Sequence, residues 1–565
     1  MLWKRLTAFA TLLLAAAAAV IAPGAASAAH LYASGFTTPT KLAAYGADSG
    51  DGSLTQVVGS PYTVGAYANA ISLTPDSNFL YLAGSGIEEF TRDADGHLTP
   101  LETFPTATSF NTPAVSPDGD TLFASTGLSN QVRVMTIAGD GTLDEIPGSP
   151  FAAGNATFGI AVTPSGKHLY AANVNDSTIS AYTVAANGAL TPKSGSPYAT
   201  GNQPYNLAVT PDGTHLYVAT AGTSDKVYGY NIAANGQLSS VTGASFATGN
   251  DPIGIAVTPD GKHLYTGNQG SGNVSGFTIN ANGSLTAAAG SPYTSAAGTR
   301  GLAITPDGSH LYASNYLDNS ISGYGINPNG SLSAATGSPF PSVDFVSRLA
   351  TAPDQSPSAS FRAEARSLSV DFDATHSTDL EGPIARYDWD FGDGSTLPDG
   401  GPTPTHDYGT VATYPVTLTV TDQSGCSVLE IYTGQTAYCS GNPRATVTRD
   451  VTIDTGVKGA KLKAKKTQKQ KGGKILIKAK AGAAEQVKIS VSGKISVGSV
   501  HYPLKKTRKT GKAGKLLTLK LKPKNSSSAK KISQGLGGKV KANLQATFID
   551  AAGNTAKKKA AVKLK

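Results

Sequence analysis

The chain has 565 residues, 39% of them hydrophobic and 15% charged, with two cysteines and a formal net charge of +8. That length calls for several domains, and beyond the first 22 residues no run reaches the roughly 18 apolar residues that span a bilayer. The charge is divided: from Asp454 onward 30 Lys and Arg stand against three acids, net +27, whereas residues 1–453 hold 16 bases and 35 acids, net −19, so an acidic body carries a basic tail.

The chain begins with Lys4 and Arg5, an apolar run from Leu6 to Ala22, then Pro23, Gly24 and the small-residue stretch Ala26–Ala28. This is the charged, apolar and cleavage-site order of a secretory signal peptide, expected over residues 1–28, with the mature chain starting near Ala29. No cysteine at the cleavage site offers a lipid anchor. Export and an extracellular location, associated with a bacterial cell envelope, are therefore expected, without a transmembrane segment.

Residues 29–353 repeat. The turn proline recurs at Pro75, Pro117, Pro164, Pro211, Pro259, Pro306 and Pro353, at intervals of 42, 47, 47, 48, 47 and 47 residues. Each turn leads into a strand beginning "HLY" or a variant of it. A third, alternating strand then ends at Asp51-Gly52, Asp95-Gly96, Asp140-Gly141, Asn187-Gly188, Asn235-Gly236, Asn282-Gly283 or Asn329-Gly330. Asp-Gly and Asn-Gly accept the positive φ angles of tight hairpins. A strand-rich period in the forties predicts one four-stranded propeller blade per repeat, seven in all. The mature chain starts at a second strand and the repeats end at a first strand, "RLATAPD" (348–354), so pairing of the two ends is expected to close the ring and remove its free edges.

The combination "TPDGKHLY", the alternating strand, "NG" and "GSPY" resembles the seven-bladed lactonase-type propeller family, whose best-known members hydrolyse 6-phosphogluconolactone, and its YVTN-repeat relatives on prokaryotic surfaces. The resemblance covers residues 30–352. In such a ring the loops from each fourth strand to the next first strand form the ligand face. Here they place Asn69, Asn111, Tyr205, Asn206, Arg300 and Arg348 as candidate ligand-binding residues, with Arg300 and Arg348 the candidates if the disc is catalytic. Two arginines among acceptors and aromatics suit a carboxylate, phosphate or sugar. Of the histidines and arginines that the resemblance implies at these entrances, only Arg300 stands where the family's Pro-Arg-Gly type of segment would put one. No histidine occurs in the seven loops.

His30, His168, His215, His263 and His310 share one repeat position and read as scaffold. Asp76, Asp118, Asp212, Asp260 and Asp307 read as turn chemistry. No nucleophile elbow, zincin motif or paired Cys-x-x-Cys occurs, and no cofactor or metal is expected.

Residues 354–454 change pattern. "YDWDFGDG" (387–394), "HDY" (406–408) and "YPVTLTVTD" (414–422) are similar to a PKD domain, an immunoglobulin-type β-sandwich, which implies that Trp389 and Phe391 face its core. Asp388, Asp390 and Asp393 serve its turn or hold calcium. An insertion, "SGCSVLEIYTGQTAYCSGNP" (424–443), carries Cys426 and Cys439, expected to form a disulfide in an oxidising compartment.

In residues 455–565, "QVKISVSG", "LTLKLK" and "KVKANLQATFID" alternate apolar with lysine or polar residues. They predict a lysine-coated, immunoglobulin-like β-sandwich behind a flexible lead-in at 461–474. The fold class is thus all-β throughout: propeller, PKD sandwich and basic β-domain. The lysine surface suits an anionic cell-wall polymer or other polyanion, by charge rather than by nucleic-acid sequence, and the propeller face a glycan, small molecule or protein. A monomer is expected. Two functions follow: an envelope-associated interaction protein, or a secreted lactonase-like hydrolase.

Overall fold

The computed structural model describes residues 29–565 apart from 66, 105–108, 367, 454–455, 458, 472–473, 485 and 551–553; the expected signal peptide, 1–28, lies outside the described residues. The chain forms two compact units, one running up to Gln355 and including Glu430–Ser440, the other made of Ser356–Leu429 with Gly441–Lys565. Among the described residues no helix is long and apolar enough to cross a membrane.

The first unit is a ring of seven antiparallel sheets, a seven-bladed propeller. Their inner strands are Arg348–Thr351 (blade 1), Ala70–Leu73, Pro113–Val115, Thr157–Val162, Pro204–Val209, Pro252–Val257 and Thr299–Ile304 (blade 7). Blade 1 joins both ends of the repeat region: Arg348–Thr351 pairs with Ala29–Ser34, Ser34 opposite Arg348, and Thr40–Ala47 follows outward.

Each turn from inner to second strand closes on itself. In blade 6 the Thr258 hydroxyl donates to Asp260 (2.6 Å) and accepts the His263 N–H (3.0 Å), so the carboxylate serves its own turn. Thr74 with Asp76 and Thr305 with Asp307 repeat the arrangement.

A tyrosine joins the blades. The "HLY" tyrosine is buried and its hydroxyl donates to the glycine carbonyl of the next blade's hairpin turn. The bonds are Tyr32 to Gly96 (3.0 Å), Tyr81 to Gly141 (2.9 Å), Tyr170 to Gly236 (2.8 Å), Tyr217 to Gly283 (2.8 Å), Tyr265 to Gly330 (2.9 Å) and, across the closure, Tyr312 to Gly52 (3.0 Å). Phe123 holds this place in blade 3 and has no hydroxyl to give. The residue two positions earlier, a histidine in five of these blades and Phe79 in the other, packs on the same turn. Gly330 has φ +77°, and a Cβ there would lie 2.2 Å from His263, so the turn needs glycine for both conformation and space. A second set of tyrosines reaches the preceding blade, Tyr182 to Ala152 (2.6 Å) and Tyr324 to Thr294 (2.6 Å).

In the second unit a β-sandwich sets Arg362–Arg366, Ser369–Asp373 and Thr405–Asp407 in one sheet, and Thr396–Leu397, Ile384–Asp390, Thr413–Asp422 and Thr446–Thr452 in the other. Trp389 and Phe391 are both buried, in contact with Phe372, and the Trp389 indole donates to Gly401 O (3.0 Å). Asp393 pairs with His406 (2.9 Å) and Asp388 with Arg386 (2.8 Å), while Asp390 accepts the Gly392 N–H (2.9 Å). Cys426 and Cys439 are disulfide-bonded.

The basic region packs a three-stranded and a six-stranded sheet around one core that includes Ile477, Ile489, Val491, Leu519, Leu544 and Phe548. Its expected flexible lead-in is instead part of the fold. Lys461–Ala464 pairs with Ile477–Gly482, and Thr467–Gln468 with the final strand, because Leu462 and Ala464 reach the core between outward lysines. A short helix, Ser526–Gln534, capped by Asn525, interrupts the strands unannounced by the alternation.

Removing one clamp hydroxyl, Tyr265→Phe, orphans a buried carbonyl and is expected to lower unfolding free energy by about 1 kcal/mol, read from denaturant midpoints of the full chain. His30 has its pKa pushed down to about 4, first by burial and then by the Arg92 guanidinium, which lies 2.8 Å away. The unfolded chain therefore binds a proton that the fold refuses between pH 6.5 and about 4. The stability advantage of wild type over His30→Asn should be full at pH 7.5 and shrink as pH falls through that window.

Candidate functional site

The propeller's seven entrance loops share a register. The sixth residue before each turn proline is Asn69, Asn111, Phe158, Tyr205, Ile253, Arg300 or Ser347, and the fifth is Ala70, Thr112, Gly159, Asn206, Gly254, Gly301 or Arg348. In blades 4 to 7 the strand ladder slips here, between Thr157 and Ile160, Pro204 and Asn206, Pro252 and Gly254, and Thr299 and Leu302. A bulge re-aims side chains at a sheet end. At the fifth position the blades nearly touch: a Cβ on Gly159, Gly254 or Gly301 would meet the next blade's carbonyl oxygen at 2.5, 2.1 or 2.6 Å. Asn206 and Arg348 are the two long polar side chains at that level, and both are buried.

The structure sorts the six candidate residues into two groups. Asn69 donates to Phe110 O (2.7 Å) and Asn111 to Thr157 O (3.2 Å), each bracing the following blade. Arg300, Arg348 and Tyr205 gather among aromatic rings instead, and Asn206 follows Tyr205 on its inner strand, with its oxygen accepting from Gln435. The Arg348 guanidinium lies 5.8 Å from the Phe158 ring centre, and Phe158 meets Tyr205 edge-on at 5.4 Å. Arg300 lies 5.1 Å from the Tyr316 ring centre.

Neither arginine forms a salt bridge among the described residues, and Arg300 Nε and Arg348 Nη1 are buried without a hydrogen-bond partner. Burial, and then the charge of Arg300, push Arg348 down to about 9, so it still carries its charge at neutral pH. Burial also lowers Arg300. A buried cation without an anion is costly, and two side by side more so. The arrangement is electrostatically incomplete and would accept a carboxylate or a phosphate.

Aromatics absent from the candidate set border the arginines. Phe36 stands 5.4 Å from Tyr67 and 6.5 Å from Tyr316, and Tyr316 stands 5.2 Å from Phe345. Tyr67 (φ 59°) and Phe345 (φ 49°) are more than 40% exposed in the left-handed region, a conformation bulky residues seldom hold unless their surroundings impose it. Phe158 was legible, since it holds the repeat position of Tyr205 and Arg300. The others lie outside the shared position.

The far half of the channel is filled. The segment Glu430–Ser440 forms a hairpin, Glu430–Tyr432 against Ala437–Ser440, that belongs to the propeller unit and caps the exposed inner edges of its strands. Val162 donates its N–H to Gly434 O (2.8 Å), Val209 to Thr433 O (3.0 Å) and Val115 to Gln435 O (3.2 Å). The Tyr438 hydroxyl reaches Val257 O (3.0 Å) and that of Tyr432 reaches Val115 O. A void of about 80 Å³ remains between the hairpin and the inner strands.

The second unit has a different feature, a groove of about 980 Å³ in the basic domain. Seven lysines line it, among them Lys463, Lys465, Lys478 and Lys480, with Gln468, Gln470 and Thr518 and no acidic residue.

Comparison with known proteins agrees with this architecture. Residues 83–340 match the family described as "Lactonase, 7-bladed beta-propeller" and residues 351–433 match the PKD domain. The fold is shared with the periplasmic gluconolactonase PpgL of Pseudomonas aeruginosa (TM-score 0.50, 18% identity, 57% of this chain and 99% of that one). It is also shared with a 6-phosphogluconolactonase-like protein of Bacteroides uniformis (TM-score 0.51, 19% identity, 57% and 99%). Among curated proteins, the chain is 35% identical over 112 residues to a microbial collagenase of Vibrio alginolyticus, 19% of this chain and 13% of that protein. It is 43% identical over 72 residues to the pre-pro-metalloprotease PrtV of Vibrio cholerae, 13% and 8% of the two chains. The chain thus spans a small part of these curated relatives. The chain thus carries a seven-bladed propeller, of which residues 83–340 match the lactonase-type family, followed by a segment, 351–433, that matches the PKD domain.

Proposed function

We propose that this is an extracellular interaction protein whose propeller binds a small anionic ligand, a carboxylate or phosphate ester such as a sugar acid, between Arg300 and Arg348. The observation that carries this reading is the pair of buried guanidinium nitrogens, Arg300 Nε and Arg348 Nη1, that lack a hydrogen-bond partner among the described residues. Tyr205 and Asn206 would complete the binding face, with Phe158 and Tyr316 stacking on the arginines. Asn69 and Asn111 contribute by holding the entrance loops. The signal-peptide order of residues 1–28 and the PKD domain support export. The lysine groove would hold the protein to an anionic envelope polymer.

The second reading, a lactonase-type hydrolase, is favoured by the family match over residues 83–340. In it Arg300 and Arg348 would stabilise the oxyanion that forms as water attacks a lactone carbonyl. The lack of a histidine in the entrance loops weighs against it.

One experiment separates the two. Phosphate and gluconate are expected to raise the melting temperature of the full chain, and Arg348→Met and Arg300→Ala to abolish that rise without unfolding the ring. An unchanged melting temperature at tens of millimolar anion would refute the binding site. Turnover of a lactone panel, lost in Arg300→Ala, would instead move the protein into the hydrolase class. For the groove, binding of the full chain to polyphosphate should weaken at least tenfold between 0.05 and 0.5 M salt, and Lys→Gln changes at 463, 465, 478 and 480 should flatten that dependence. Retention that ignores salt would contradict an electrostatic hold.

A further inference from the structure

The hairpin Glu430–Ser440 reaches the level of the arginine cluster through one side chain. Gln435 Nε2 donates to Asn206 Oδ1 (2.9 Å) and to Ile160 O (3.2 Å). The Leu207 N–H adds a second, longer bond to Asn206 Oδ1 (3.3 Å). With its oxygen turned to these two donors, the Asn206 amide must present its NH2 the other way. Asn206 stands at the same repeat level as Arg348 and directly follows Tyr205, whose ring meets Phe158 edge-on, and Phe158 in turn lies under the Arg348 guanidinium.

We propose that Gln435 is a positioning residue for the anion site: it fixes the Asn206 amide so that two N–H donors, rather than a carbonyl oxygen, face the ligand beside Arg348. The inference rests on the anion-binding reading above and deepens it, since it assigns part of the propeller's ligand specificity to a residue inserted in the PKD sequence. The chemistry is one of sign. An amide turned the other way would set a partial negative oxygen beside the arginines and repel the anion they attract. Gln435 can impose the choice because its own place is fixed from several blades. Its carbonyl accepts from Val115 N–H (3.2 Å) and from the Ser72 hydroxyl (2.8 Å), and the neighbouring Thr436 hydroxyl accepts from Leu73 N–H (3.3 Å). The hairpin also gives the channel a floor, so that a ligand enters from the loop face alone and its polar head meets Asn206 at the end of its path.

The test is a double-mutant cycle in the full chain, with phosphate and gluconate as probes and calorimetric affinity as the readout. Gln435→Met keeps the length and loses the donor, and Asn206→Ala removes the amide. Each single change is expected to weaken phosphate about tenfold, and the double variant to bind no more weakly than Asn206→Ala alone, because Gln435 acts through Asn206. A merely structural Gln435 would give additive losses, and an affinity unchanged in Gln435→Met would also overturn the proposal. Should Gln435→Met unseat the hairpin, seen as lost hydrogen-exchange protection at Val115, Val162 and Val209, Asn206→Asp decides: its carboxylate still accepts from Gln435 but offers no donors. Loss of phosphate binding in a protein with those amides protected supports the assignment, and wild-type affinity overturns it. A wild type that binds neither anion removes the parent reading and this one together, whereas a binding wild type with an indifferent Gln435 removes this one only.

Discussion

The contact on which this molecule depends is the bond from a second-strand tyrosine hydroxyl to the glycine carbonyl of the next blade's hairpin turn. A blade alone is a small sheet with two faces to cover, and it becomes stable by stacking on its neighbours. The clamp fixes how six of the seven pairs stack, because the hydroxyl meets the carbonyl only when the turn sits under the preceding blade's ring two residues before the tyrosine, a histidine in five cases and Phe79 in the sixth. Six such bonds run one way around the ring, including the one across the closure, where Tyr312 of blade 7 meets Gly52 of blade 1. The self-closed turn that precedes the second strand, Thr-Pro-Asp-Gly in three blades and a close variant in others, delivers the tyrosine to that place.

A ring built from equivalent parts makes its exceptions informative. At the level where blades touch most closely, small residues are the rule, and Arg348 and Asn206 break it. Arg348 falls where the two ends of the repeat region meet, in the short inner strand that faces Ser34. Blade 1 is assembled from two pieces of sequence, and its inner strand is thereby free to carry a side chain that blades 4, 6 and 7 replace with glycine. The cost of burying that guanidinium is borne by a scaffold whose other positions are over-determined, a common relation between strained sites and the folds that hold them.

Much of this was legible beforehand, and for physical reasons. Turn prolines, Asn-Gly pairs and "HLY" strands are local chemistry, so seven blades could be read from spacing, whereas the core around Trp389 was implied by the resemblance of "YDWDFGDG" to a PKD domain. The histidines announced themselves as scaffold by recurring. The candidate site was legible only in part: loop position put Arg300 and Arg348 at the entrance but could not show that Asn69 and Asn111 turn their amides toward the next blade. Phe36, Tyr316 and Phe345 become neighbours through ring closure, which joins residues some 300 apart in sequence. Least legible was the hairpin. An eleven-residue excursion in a PKD sequence carries no local sign of the strand edges it will cap, since the unpaired Val162 and Val209 amides exist only once the ring has formed. The lysine-rich lead-in was misread for a related reason, its Leu462 and Ala464 being hidden among charges that usually mark disorder.

What unites these features is a propeller channel closed at one end by its own chain and left electrostatically open at the other. The measurement that tests this account most directly is anomalous diffraction from crystals of the full chain soaked in selenate. A selenium peak is expected in the channel within hydrogen-bond reach of Arg348 Nη1 and Arg300 Nε, above a seated hairpin. Selenate found only among the surface lysines, with the channel between the arginines empty, would contradict it.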